Sequence, residues 1–299
     1  MGRQFDLKVW LLAMRPWSFT AAAVPVSVGA LLAYAQGFPF LWGRFLITLL
    51  AGVILQTATN FLNTYGDYQS GVDTPESAAG LSQLVNGAIQ PGAIYRAGLY
   101  ALTLSALLGI ILVFWCGWPL LIFGICGISG AYFYTTGFCP YKYKGLGPFM
   151  VFFLMGPLMV MPAYFIQSGS VSLFSFWASI PIACLVAAIM HANDVRDIAH
   201  DRKAGIRTLA INLGRYKAVK TLETMYLGAF ISTVILGFFQ PGFFLPLILL
   251  PSALYALKPL HGDMADLHLS TLDVRTAKLH FQFGLLIMGG LFITAWLRG

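Results

Sequence analysis

Nine stretches of the 299-residue chain are almost uniformly apolar: 19–35, 41–61, 93–114, 116–135, 148–166, 174–193, 222–239, 241–257 and 280–297. Most approach the roughly 20 residues a helix needs to cross the hydrocarbon of a bilayer. None alternates apolar and polar residues, which argues against the strands of a membrane barrel. The seventh and eighth are separated only by Gln240-Pro241-Gly242, a turn signature. The pattern predicts an all-α, polytopic protein with nine transmembrane helices in one membrane domain over 1–299. Between the spans, 65–90 is polar and rich in Gly, Ser and Asn, and is expected to fold over the helix ends as a partly helical cap. A second cap is expected over 194–215, and 263–273 completes a third loop.

Composition supports this reading and narrows it. Hydrophobic residues make up 58% of the chain and charged ones 10%, against roughly 25% charged in soluble domains. The net charge of +7 therefore does not indicate nucleic acid. It reflects Lys and Arg gathered in particular loops. Arg3, Lys8 and Arg15 precede the first span, and Lys142 and Lys144 follow the fourth. Seven basic residues between Arg196 and Lys220 follow the sixth; Lys258, Arg275 and Lys278 follow the eighth. Arg44 and Arg96 are the exceptions. Positive-inside bias places the N-terminus and these loops in the cytoplasm, and the C-terminus outside a cell inner (cytoplasmic) membrane. The opening MGRQFDLKVWLLAMRPWSF shows no signal-peptide cleavage pattern. Cys116, Cys126, Cys139 and Cys184 form no CxxC pair, which argues against disulfides or zinc.

The acidic residues are distributed still more unevenly. Six of the 11 fall in two short stretches, Asp67, Asp73 and Glu76 after the second span and Asp194, Asp197 and Asp201 after the sixth. Asn63 and Asp67 are four apart and share a helix face; Asp194, Asp197 and Asp201, spaced three and four apart, share another. Carboxylates crowded at neighbouring helix ends repel one another unless a hard divalent cation, which takes oxygen ligands, sits between them. Arg196, Arg202, Lys203 and Arg207 lie beside them and suit phosphate oxygens. Together they suggest a bound Mg²⁺-diphosphate. The competing reading of each residue is a helix cap or interfacial salt bridge, and Asp266 and Asp273 stay open between the two.

At these two clusters the chain resembles the UbiA superfamily of intramembrane aromatic prenyltransferases. That resemblance implies nine transmembrane helices and two aspartate-rich motifs that bind a prenyl diphosphate through Mg²⁺. The first motif falls at 60–76, with Asn63, Asp67 and Asp73; Thr64 stands where the family commonly has Asp. The second falls at 193–208, with Asn193, Asp194, Arg196, Asp197 and Asp201, followed by Lys203 and Arg207. The resemblance implies that Asp67, Asp73, Asp194, Asp197 and Asp201 hold the metal. It also implies that Asn63 and Asn193 complete the catalytic set. Arg196, Lys203 and Arg207 are candidates to bind the substrate's phosphates; Arg15, just before an apolar span, is a candidate contact for the anionic aromatic acid or else a positive-inside anchor, and Lys142 either reaches the diphosphate or only marks the cytoplasmic side. Tyr132, Tyr134 and Tyr141 are candidates to shield a carbocation, against the alternative of an interfacial aromatic belt.

Within the superfamily the stretches Arg15-Pro16-Trp17, Gly71-Val72-Asp73 and Thr276 to His280 resemble the 1,4-dihydroxy-2-naphthoate polyprenyltransferases of menaquinone synthesis. This implies transfer of a polyprenyl group to that acid, with loss of CO₂ and diphosphate, giving demethylmenaquinone. The alternatives are another aromatic acceptor such as 4-hydroxybenzoate or, outside enzymes, a transporter. A transporter would favour ionisable groups near mid-membrane, whereas here they cluster at one face. The partners implied are a polyprenyl diphosphate, an aromatic acid and membrane lipid, with no nucleic acid.

Overall fold

The computed structural model describes residues 6–75, 83–261 and 269–298. Arg3, Glu76, Asp266 and His268 lie outside them. Thirteen α-helices are described: α1 (Leu7–Met14), α2 (Thr20–Ala35), α3 (Trp42–Gln69), α4 (Pro91–Cys116), α5 (Pro119–Phe133), α6 (Gly147–Met155), α7 (Pro157–Ser168), α8 (Leu173–Arg196), α9 (Ile198–Lys203), α10 (Leu209–Leu213), α11 (Arg215–Gly237), α12 (Leu250–Leu257) and α13 (Leu272–Trp296). Short 3₁₀ turns join some of them, among them Pro16–Phe19, Tyr141–Lys144 and Pro241–Leu249.

Among the described residues, seven helical segments are long and apolar enough to cross a membrane: Leu7–Ala35, α3, α4, Gly147–Ser168, α8, α11 and α13. The molecule is thus an all-α, multi-pass membrane protein, in which seven of the nine expected spans are membrane-length helices among the described residues. The apolar stretches at 116–135 and 241–257 form shorter helices, Pro119–Phe133 and Pro241–Leu257. The first of these is about 22 Å long at 1.5 Å per residue. Hydropathy counts apolar residues and is blind to what bounds them. Gly117, at φ 106°, ends α4, and Pro119 starts α5. Pro241 and Pro246 hold much of the other segment in a 3₁₀ turn.

Apolar burial drives little association when lipid is the alternative, so helices here must meet through close approach and polar contacts. α8 is central, touching α2, α6, α7, α11 and α13. Its neighbours supply a core that includes Leu32, Leu222, Phe283 and Ile287. Two glycines set spacings that matter for the site. A Cβ on Gly29 would lie 2.3 Å from the Val160 carbonyl oxygen, and one on Gly66 would lie 2.5 Å from that of Thr135. Only glycine lets α2 meet α7, and α3 meet the chain after α5, that closely. The opposite surfaces carry exposed Phe114, Trp118, Phe238 and Trp296, as a lipid-facing exterior requires.

Two local breaks position polar groups at one end of the bundle. The first span begins earlier than hydropathy suggests, because α1 and the 3₁₀ turn lead directly into α2. Arg15 lies at the join with φ 52° and ψ 61°, the left-handed region. The following Pro16 disfavours right-handed helix at the residue before it and is well suited to the first helical position after it. At its far end α3 stops where Gly71 takes φ 72°. The Val72 and Asp73 amides then turn back to donate to the Asp67 carbonyl at 2.9 and 3.1 Å. Residues 83–90 form turns, so no helical cap is present there among the described residues. The expected cap over 194–215 contains α9 and α10.

Candidate active site

A cavity of about 550 Å³ opens between α2, α3, α4, α5, α6, α7 and α8. One end is polar, lined by Arg15, Ser18, Gln56, Asn60, Asn63, Tyr134, Tyr141, Asn193 and Asp273. The rest is almost wholly apolar, with Leu55, Ile110, Met159, Leu120 and Ile166 in its walls. Along α3 the lining runs from Asn63 to Thr48, about 22 Å of helix axis. The cavity therefore extends through much of a bilayer's thickness beneath a single polar end.

The motif carboxylates lie just beyond that end. Asp67 is one helical turn past Asn63 on α3 and is 5% exposed. Its two carboxylate oxygens accept from Lys142 Nζ at 2.7 Å each, and Tyr143 Oη donates to Oδ1 at 2.8 Å. Lys142 also donates to Asn63 Oδ1 at 3.1 Å. The side chain expected to bind substrate is thus engaged by the first motif, held there by the Tyr141–Lys144 turn. Burial, together with the Asp67 charge, raises the Tyr143 phenol well above its ordinary value, so it remains a donor. Thr64, which departs from the family pattern, accepts from Arg15 Nη2 at 3.4 Å and donates to the Asn60 carbonyl at 3.0 Å. In this chain the position anchors Arg15. Asp73 is 9% exposed in the turn after α3.

The second motif divides into paired and unpaired acids. Arg196 binds Asp197 bidentately, through Nε at 2.9 Å and Nη2 at 2.6 Å. It also reaches Asp273 Oδ2 at 2.5 Å and donates to Asn193 Oδ1. It therefore orders three side chains with the guanidinium expected to bind substrate. Asp194 is 2% exposed and forms no ion pair among the described residues. Asp201, on α9, is also buried without one. Burial, then neighbouring Asp197, pushes its carboxyl up to about 6. Asp67 acts in the same direction and Lys142 opposes it, so the two motifs are within electrostatic reach of each other. A direct link joins them: His200 Nε2 lies 2.5 Å from the Val72 carbonyl oxygen. Lys203 and Arg207 are exposed, and only the Arg207 backbone amide reaches this region, donating to the Tyr143 carbonyl at 3.2 Å.

Sequence reasoning did not find the His200 link, Tyr143, or the Ser18–Gln56–Asn60 group. Of the three candidate aromatics, Tyr134 and Tyr141 line the cavity, their ring centroids 5.5 Å apart. Tyr132 is instead within 3.3 Å of the Tyr95 hydroxyl.

The donor set suits a hard cation: all the candidate ligands are oxygens, and two buried carboxylates lack an ion-pair partner. Among the described residues no three acidic, imidazole or thiol groups come together closely enough to hold a metal ion, so the five expected carboxylates are not assembled into one site. Mg²⁺ keeps few protein ligands and completes its shell with water and substrate phosphate.

The profile of the UbiA prenyltransferase family matches residues 22–268, a range that contains both motifs. The chain belongs to the UbiA prenyltransferase family. Among UbiA proteins it is 33% identical to the 1,4-dihydroxy-2-naphthoate octaprenyltransferase of Bacillus subtilis (strain 168), over 96% of this chain and 92% of that one. It is 34% identical to UbiA prenyltransferase domain-containing protein 1 of Mus musculus, over 95% of this chain and 84% of that one. In fold it is similar to a UbiA homolog from Archaeoglobus fulgidus solved with GPP and Mg²⁺. The TM-score is 0.66 at 17% identity, covering 94% of this chain and 99% of the other. An apo UbiA homolog from Aeropyrum pernix K1 gives a TM-score of 0.68 at 17% identity, over 92% and 97%. Membership of a prenyltransferase family sets aside the transporter alternative.

Proposed function

We propose that this UbiA protein is a Mg²⁺-dependent 1,4-dihydroxy-2-naphthoate polyprenyltransferase. The observation that carries the reading is the cavity, a long apolar channel ending in Asn63, Asn193 and Arg15, with the carboxylates of both motifs one turn beyond. An allylic polyprenyl diphosphate has that polarity: a long apolar tail and one highly charged head. The likeness to the Bacillus subtilis octaprenyltransferase supports the choice of acceptor.

In this reading Asp67, Asp73, Asp194, Asp197 and Asp201 would hold Mg²⁺. The chemistry a bound Mg²⁺ supplies there is neutralisation of the charge that develops as diphosphate departs. The chain's own residues do the rest. Lys142 and Arg196 fix the orientations of Asp67 and Asp197. Asn63 and Asn193 present amides at the channel mouth, where the allylic carbon would lie. Exposed Lys203 and Arg207 would meet the diphosphate from the cytoplasmic side. The C1–O bond breaks with its electron pair going to diphosphate, and the Tyr134 and Tyr141 rings shield the allylic cation. The apolar walls hold the tail and keep water from the cation. A ring electron pair of the acceptor forms the new C–C bond. Loss of the carboxylate as CO₂ returns its bonding pair to the ring. Arg15 takes the acceptor's carboxylate before that step, a role suited to a guanidinium.

The test is kcat/KM for 1,4-dihydroxy-2-naphthoate and for 4-hydroxybenzoate with one common polyprenyl diphosphate. The second ring adds apolar area, so the naphthoate should lead by roughly tenfold. Equal values, or a lead for 4-hydroxybenzoate, reject the acceptor assignment and keep the prenyl transfer.

The site should face the cytoplasm, with the N-terminus inside and the C-terminus outside, on the distribution of Lys and Arg. Lys217 is exposed near the start of α11. In Lys217→Cys, a membrane-impermeant thiol reagent should label position 217 only in inverted or opened vesicles. Labelling of intact cells at that position excludes this orientation.

A further inference from the structure

Lys142 places a cation in the first motif. An ammonium carries three donors and no acceptor, and this one makes three contacts, all to motif oxygens. It donates to Asp67 Oδ1 and Oδ2 at 2.7 Å each and to Asn63 Oδ1 at 3.1 Å. Tyr143 Oη fills a further position on Asp67 Oδ1 at 2.8 Å. Lys142 is 8% exposed, Asp67 5% and Asn63 6%, so the cluster is closed to bulk water. The ammonium's other neighbours include the Tyr134 and Tyr143 rings, each centroid 5.7 Å away. The second motif has no equivalent. Its Arg196 holds Asp197 and Asp273, and Asp194 and Asp201 are left without an ion pair among the described residues.

These contacts set two roles against each other. A metal ion held by Asp67 needs the same carboxylate oxygens, at about 2.0–2.1 Å for Mg²⁺. An ammonium 2.7 Å from both of them bars that approach, and in a site closed to water like charges this close repel strongly. A diphosphate held by Lys142 needs donors that are already committed. One movement meets both needs, withdrawal of the ammonium from Asp67, and it is unfavourable for either ligand alone. Mg²⁺ alone would part a buried ammonium from its counter-charge with no anion to receive it. Diphosphate alone would leave the Asp67 carboxylate with the Tyr143 hydroxyl and no cation. Together the two ligands let the pair exchange partners, the ammonium going to diphosphate and the carboxylate to metal. We infer that Lys142 makes metal binding at the first motif conditional on the diphosphate, by occupying the Asn63 and Asp67 oxygens until the diphosphate draws it away. This deepens the proposed function and rests on its assignment of Asp67 as a ligand of Mg²⁺. By linkage, metal and diphosphate then raise each other's affinity by one common factor.

The experiment measures binding of Mn²⁺, as the probe for Mg²⁺, to the full chain in detergent by electron paramagnetic resonance, with no substrate present. Lys142→Met should bind the ion about tenfold or more tightly than the wild type. Lys142→Gln, which keeps a polar group in the turn, should show the same gain. Adding Asp67→Asn to Lys142→Met should abolish the gain, which locates the extra affinity at Asp67. Mn²⁺ should also raise the unfolding temperature of Lys142→Met more than that of the wild type, because the ion replaces the counter-charge that Asp67 has lost. A lysine that only staples its turn to α3 would lower stability and leave metal affinity unchanged; equal affinity in the wild type and both single variants overturns the inference. So does equal Mn²⁺ affinity of the wild type with and without inorganic diphosphate, a result that needs no variant to fold. Wild-type Mg²⁺-dependent turnover in Asp67→Asn overturns the metal role of Asp67, and this inference with it. Equal affinities beside a turnover that depends on Asp67 overturn this inference alone. No acceptor enters the measurement, so its outcome is independent of the choice between the naphthoate and 4-hydroxybenzoate.

Discussion

Asp194→Asn should lower prenyl transfer by at least a hundredfold while leaving the folded protein as stable as the wild type, or more so. The two halves of this expectation come from one observation. Asp194 is 2% exposed and forms no ion pair among the described residues. A buried carboxylate without a counter-charge opposes folding, so replacing it with a neutral amide of the same shape removes a cost. The same charge is what a divalent cation and its diphosphate need beside them. Losing an electrostatic partner of the departing group typically costs about 10²–10³ in kcat. The measurements are kcat/KM across a Mg²⁺ titration and thermal unfolding in detergent without added metal. The Mg²⁺ concentration for half-maximal activity should rise. Wild-type activity in Asp194→Asn removes the residue from the metal site. A large drop in stability without metal shows that it has a structural partner instead.

How far these features could be read from the sequence depends on the distance over which they are encoded. The helix-period spacing of Asn63 with Asp67, and of Asp194, Asp197 and Asp201, is local, and it was enough to mark both clusters. The family likeness then supplied a chemistry. Span number was less legible, because apolar composition does not report length; Gly117, Pro119, Pro241 and Pro246 shorten two segments that hydropathy alone reads as full spans. Least legible were pairings across the bundle. Lys142 and Asp67 are 75 residues apart, and Arg196 and Asp273 are 77 apart. In sequence each basic residue reads equally well as a free phosphate ligand. The departure at Thr64 names no partner in sequence, and the Arg15 it meets lies 49 residues away. His200 is 128 residues from the Val72 carbonyl it meets, and a backbone acceptor leaves no trace in residue types.

Asp67 should behave in the opposite way to Asp194 on stability, although both losses abolish most activity. Its carboxylate is bound by Lys142 Nζ at 2.7 Å to each oxygen, with side chains 9% and 7% exposed for Lys142 and Asp67. Removing one partner strands a buried charge, which in comparable buried pairs costs about 3–5 kcal/mol. Asp67→Asn leaves the Lys142 ammonium with Asn63 Oδ1 at 3.1 Å and two tyrosine ring faces, each centroid 5.7 Å away. Those contacts soften the loss without replacing the charge. Removing both charges together, in Asp67→Asn with Lys142→Met, should recover most of the stability, since a buried pair replaced as a unit is often near neutral. Activity should not recover with it, because the double variant still lacks the first-motif carboxylate. The check is a double-mutant cycle by thermal unfolding, run beside Mg²⁺-dependent turnover for the same four proteins. If stability effects of the two single variants simply add, the buried pair is not coupled, and Lys142 is free to serve the diphosphate. If turnover returns with stability, Asp67 holds the fold together and the metal is carried by the second motif alone.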